Sequence, residues 1–188
     1  MVIIQKLQKE KKYTFTGYME GEKYGIDIDK AHERAKALIP EEFFWSCIDE
    51  LGPFGSDEGD TALAEFRRWR KENPATPTLE CLIWTITGVG EMEFSEYNRQ
   101  LVDREKILSQ LQDKDFDDQQ YIYTLDISVI STGFGQLVDE GSIDPVNKEI
   151  IQIAIDRQII WTELLPDWAH GKEYIGNLMV LNRALKEA

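Results

Sequence analysis

The two histidines of this chain share one spacing. Asp29 stands three residues before His32, and Asp167 stands three before His170. On a helix that interval places a carboxylate and an imidazole on one face. Two such pairs brought together would supply four ligands for zinc or another divalent metal. Helix capping by Asp29 and a turn contact by Asp167 account for the same residues without a metal. With Asp and Glu at 35 of 188 positions, an acid three residues before each histidine also arises readily by chance. No metal or other cofactor is therefore expected, and a metal-dependent enzyme built on Asp29, His32, Asp167 and His170 stands as the alternative.

The remaining arrangements with chemical potential fall short of their motifs. Asp113, Asp115 and Asp117 occupy positions one, three and five of a calcium loop. Position six holds Asp118 where the turn needs glycine, and position twelve holds Thr124 where a bidentate glutamate belongs. Gly88-Val89-Gly90 opens like a dinucleotide fingerprint, yet Glu93 takes the third glycine's place and its carboxylate would repel a pyrophosphate. Gly133-Phe134-Gly135 fails in the same way at Val138. The strand-to-helix serine elbow is absent. Without a catalytic signature, the chain reads as a binding protein rather than an enzyme.

Charge is the most informative bulk property. The net charge is −14, and residues 91–140 carry 12 acids against 4 bases, a balance of −8 in about a quarter of the chain. Such a field disfavours nucleic acid and anionic membranes and favours a basic protein partner. Asp113, Asp115, Asp117 and Asp118 are the candidate contacts, with Phe94, Tyr97 and Phe116 as aromatic anchors among the acids; interfaces of this kind use charge for encounter and a few buried aromatics for residence. The competing possibility is an acidic surface that serves solubility alone. In composition the chain resembles small acidic helical proteins that occlude a basic enzyme, as bacterial toxin-neutralising immunity proteins do. That resemblance implies a partner type and transfers no residue.

Cys47 and Cys81 each sit among apolar neighbours and form neither a disulfide framework nor a zinc site, which suits a reducing compartment. Apolar runs are too short to span a membrane, and the amino terminus places its apolar residues before its basic ones, the reverse of an export signal. A cytoplasmic location is expected. Nothing in the pattern fixes an oligomeric state.

The elements that must carry these residues are mainly helical, in one domain over 1–188. A helix at about 145–165 is apolar on nearly every side, opens with Asp144-Pro145 and stops at Pro166, so it belongs inside the core. Helices are also expected from Asp29 to Ile39, Glu41 to Leu51, Thr61 to Glu72 and Asp103 to Gln112, and a last one carrying Tyr174 to Leu185 after a turn at 167–171. Segments 79–87 and 121–130 fit either a helix or a buried strand by periodicity. The reading favours helix for 121–130, since the pattern runs on to Gly141, a natural helix terminator; two strands there would make the class α+β. A small β element is expected before residue 29.

Overall fold

The computed structural model describes residues 26–188, and among them the chain is mainly α, with eight α-helices and no strand. In chain order these are α1 (Glu33–Leu38), α2 (Glu42–Trp45), α3 (Asp57–Glu72), α4 (Thr78–Val89), α5 (Arg104–Gln112), α6 (Leu125–Glu140), α7 (Pro145–Glu163) and α8 (Gly171–Glu187). The β element expected before residue 29 falls largely on residues 1–25, outside the described residues.

Both ambiguous segments are helices. α4 takes in 79–87, and 121–130 enters α6 through a π-helical segment at Gln119–Thr124. α6 packs against α3, α4, α7 and α1. Fourteen of its sixteen residues are buried, polar ones included, whereas the expected core helix α7 buries ten of nineteen. Small residues allow this enclosure. A Cβ on Gly133 would stand 2.2 Å from Cδ1 of Ile151 on α7, and one on Gly135 would stand 3.0 Å from Leu63 on α3. The backbone of α6 therefore lies closer to its neighbours than side-chain packing normally permits. Gly141 ends the helix at φ 77°, the left-handed conformation glycine tolerates best, as the sequence suggested.

α7 keeps its place in the core. Ile150, Ile151, Ile153, Ala154, Ile155 and Trp161 are buried, while Ile159, Ile160, Leu164 and Leu165 are half-buried. Pro145 occupies the first turn. Asp144 does not cap α7 with its side chain; its carboxylate instead accepts from Gln136 Nε2 at 3.0 Å. Phe44, Phe54 and Phe134 meet edge to face, with centroids 5.2 and 5.8 Å from Phe44, and tie α2 and its following loop to the middle of α6.

Three boundaries moved for local reasons. The first helix begins at Glu33 rather than at Asp29, because His32 is the cap: its Nδ1 accepts from the Arg34 amide at 3.1 Å. The helix expected to reach Leu51 stops at Trp45, where the Ser46 hydroxyl captures the amide of Asp49 at 3.0 Å and bends the chain into a turn. α3 starts four residues early, at Asp57, since Ser56 caps it by accepting from the Gly59 amide at 3.1 Å. The last shift places Asp57, Glu58 and Asp60 in the first turn of α3, with Asp57 and Glu58 lining the cleft described next.

Candidate functional site

Two polar constellations lie about one turn apart along α6 and α7. The inner one is closed. Asp126 is fully buried and accepts from Arg157 Nε at 2.7 Å and Nη2 at 2.6 Å. The Tyr97 hydroxyl donates to the same carboxylate at 2.7 Å. Gln158 donates to the Ile122 carbonyl at 3.0 Å and accepts from the Tyr174 hydroxyl at 3.0 Å. Burial pushes the Asp126 carboxyl above its ordinary range, against the pull of Arg157. Burial likewise holds the Tyr97 and Tyr174 phenols well above the usual tyrosine value. Each of these groups is buried with a partner, and none of them lines either of the two cavities described below, so this network is structural.

The outer constellation is open. Tyr123 on the π-helical segment, Trp161 on the last turn of α7 and Trp168 in the turn before α8 form an aromatic wall. Successive ring centroids are 5.9 Å apart. They border a cleft of about 900 Å³ whose other side carries Glu50, Asp57 and Glu58, with Asp167 at the rim beside Trp168. Among the described residues no lysine or arginine lines it, and none of those four carboxylates is engaged in an ion pair. The Tyr123 hydroxyl donates to the Glu50 carbonyl at 3.4 Å. Burial raises its pKa, with the Ser56 hydroxyl pulling back and the charges of Glu58 and Glu50 adding to the rise. Aromatic faces beside unanswered carboxylates suit a cation, which gains from both the ring quadrupoles and the charges. A π-helical turn widens the backbone by one residue, and here it swings Gln119 and Tyr123 into the cleft.

The residues singled out from sequence are distributed differently from expectation. Tyr97 is not a surface anchor: it is 4% exposed, with its hydroxyl committed to Asp126. Phe94 is half-buried against the main core. Phe116 is half-buried against the smaller cluster of Ile107, Ile122 and Trp161, its ring 5.8 Å from that of Tyr121. Asp113, Asp115 and Asp117 are exposed in the turn after α5. Asp113 accepts from the Asp115 amide at 3.0 Å and Asp117 from the Gln120 amide at 3.1 Å. Asp118 accepts from Trp161 Nε1 at 2.9 Å, which joins the acidic turn to the aromatic wall.

Three of the twelve acids of 91–140 are answered within the fold and do not add to an open surface. Asp126 is buried on Arg157, while Asp139 and Glu140 are spent on Arg67 at 2.8 Å and Arg70 at 2.6 Å of α3. The unanswered charge at the cleft comes mostly from segments 50–58 and 167, which the charge count along the chain did not single out.

The two D-x-x-H pairs do not assemble. His32 caps α1 and lies against Gly141 at the end of α6. His170 lies in the cleft-side turn before α8, 3.8 Å from Glu173. Among the described residues no group of three or more His, Cys, Asp or Glu side chains is placed to hold a metal. Asp29 sits in a 3₁₀ turn and does not join His32 as a ligand pair. Nor does any helix among the described residues have the length and apolarity to cross a membrane.

The chain is similar to the Escherichia coli K12 protein named "Uncharacterized protein YfeS", with 26% identity over 175 residues. The match takes in 88% of this chain and 66% of that protein, so the chain spans just under two thirds of that relative's length. No family model and no solved structure matches the chain.

Proposed function

We propose that this protein is an acidic binding protein for a basic protein partner, and that it holds the partner at the cleft between the first turn of α3 and the Tyr123–Trp161–Trp168 wall. One observation carries the reading: a concave, aromatic-walled space lined, among the described residues, by four carboxylates and by no lysine or arginine. In the same reading the exposed acids Asp113, Asp115 and Asp117, in the turn that leads to the Asp118–Trp161 hydrogen bond, act as an outer lip. In this reading the lip accelerates encounter through its long-range field, and the cleft supplies residence through desolvated cation–aromatic contacts. A basic enzyme whose site is occluded, as in toxin-neutralising pairs, is the partner type that fits this charge pattern best. Two free thiols, one exposed and one buried, suit a cytoplasmic setting.

The test is capture of partners from native lysate at low salt by the wild-type chain, by a lip variant (D113N/D115N/D117N) and by a cleft variant (E50Q/E58Q/D167N). The expected result is a basic protein that is released by salt, lost by the cleft variant and bound more slowly by the lip variant. A chain that captures nothing at low salt, or one whose partner ignores both sets of changes, would leave the acids with solubility as their only role.

A further inference from the structure

A second cavity of about 480 Å³ opens on the other side of the first turn of α3. Asp57 and Glu58 line both cavities, and the junction of the π-helical segment with α6 completes the shared wall: Gln119 and Tyr123 border the larger space, Thr124 and Ser128 the smaller. The two spaces differ in chemistry. In the smaller, Glu65 is already paired with Arg68, and the surface is built from Ala62, Val89 and the indole of Trp84. Trp84 is 51% exposed on a helix whose other apolar residues are mostly covered, so its ring is presented to solvent at this position. One chamber therefore offers four carboxylates beside three aromatic rings, and its neighbour shares only the ridge acids Asp57 and Glu58 and is otherwise mainly apolar around a single large aromatic.

Resting on the proposed function above, we infer that the partner presents a linear polypeptide segment that crosses the Asp57–Glu58 ridge, seating a lysine or arginine side chain in the larger chamber and an apolar side chain against Trp84 in the smaller. A linear segment fits because two side chains a few residues apart can enter neighbouring chambers while the backbone passes over the ridge between them. The order of chemistry is fixed by the walls. A cation in the Trp84 chamber would meet the Arg68 guanidinium and only the two ridge acids, and an apolar side chain in the larger chamber would desolvate four carboxylates without pairing them.

The probe is a random 12-residue peptide library displayed on phage and selected on the full chain. Enriched peptides are then synthesised with a fluorophore and measured by anisotropy. Two variants address the smaller chamber. Trp84→Ala removes its aromatic, and Gly88→Leu fills it from a position where a Cβ meets nothing within 4 Å, so the added side chain enters without a backbone clash. The expected outcome is enrichment of peptides that pair Lys or Arg with Leu, Ile, Met or Phe at a constant separation. Both variants should weaken such a peptide about tenfold, yet leave unchanged the same peptide with its apolar residue replaced by glycine. Basic peptides with no apolar preference, bound equally by wild type and both variants, would overturn this inference while leaving the basic-partner reading in place. Enrichment of acidic or neutral peptides, or of none, would overturn both.

Discussion

Asp126 and the cleft carboxylates are separated by about one helical turn, and they behave as opposites. Asp126 lies three residues after Tyr123 on the chain, and Arg157 lies four before Trp161. At the inner position each charge, hydroxyl and amide is matched, and the interior is sealed around them. At the outer position rings at the ends of the same segments face acids that make no ion pair among the described residues. A charge sealed with its partner fixes how α6 and α7 sit against each other; a charge left open is available to another molecule. Counting acids along the sequence cannot distinguish the two, because partnering is decided by what folds against them.

The sharpest way to break this contrast is to unpair the closed network. Removing one member, by Asp126→Ala or Arg157→Met, leaves a buried charge uncompensated and should lower stability by about 3–5 kcal/mol in denaturant melts. The double change Asp126→Leu with Arg157→Met should cost clearly less than the two single changes summed, since it leaves no orphan charge. Equal and additive losses would mean that the pair is not a unit. Ile155→Asp, in the sealed part of α7, should be comparably damaging, because the new carboxylate has no such partner.

A smaller effect follows from the buried acids with raised pKa values. Tyr97 and Tyr174 titrate well above the usual phenol value when folded, and burial pushes the Cys81 thiol up to about 12. Below the pKa values of the unfolded chain both states hold these protons, and the full stability is present. As the pH rises past them, the unfolded chain releases protons that the folded one retains, so stability should fall between roughly pH 9 and 11. Tyr174→Phe should flatten the slope in a series of denaturant midpoints measured across that range. A slope identical to wild type would show that this phenol ionises in the folded state.

The smallest effect on stability should come from the open side. The cleft variant E50Q/E58Q/D167N should unfold within about 0.5 kcal/mol of wild type, because these acids make no ion pair among the described residues. A large loss of stability would show that the cleft acids are structural after all, and the distinction between the two constellations would fall. The cysteines offer a parallel contrast: a thiol reagent should modify Cys47 in the native protein and reach Cys81 only after unfolding, in keeping with their exposure.

Much of the helical architecture was written in local sequence. The apolar density of 150–165, Pro145 at a first turn and Gly141 as a terminator are effects of neighbours within a few residues, and they operate before any tertiary contact forms. The same locality explains where reading the sequence failed. Tyr97 looked like an anchor among acids, because nothing nearby reveals that its hydroxyl ends 2.7 Å from Asp126, twenty-nine residues further on. The excess acidity of 91–140 looked like one surface until arginines of α3 and α7 were found to answer Asp139, Glu140 and Asp126. The cleft unites residues near 50, 57, 123, 161 and 168; the local hints were the acids at Asp57, Glu58 and Asp60, which could equally serve a helix start or a basic partner, and a pair of tryptophans flanking Leu164-Leu165-Pro166. Helix type and ends are set by short-range backbone and side-chain preferences, which the sequence carries explicitly. Which charges are sealed and which stay open depends on long-range packing against α6, and only the tertiary structure decided that.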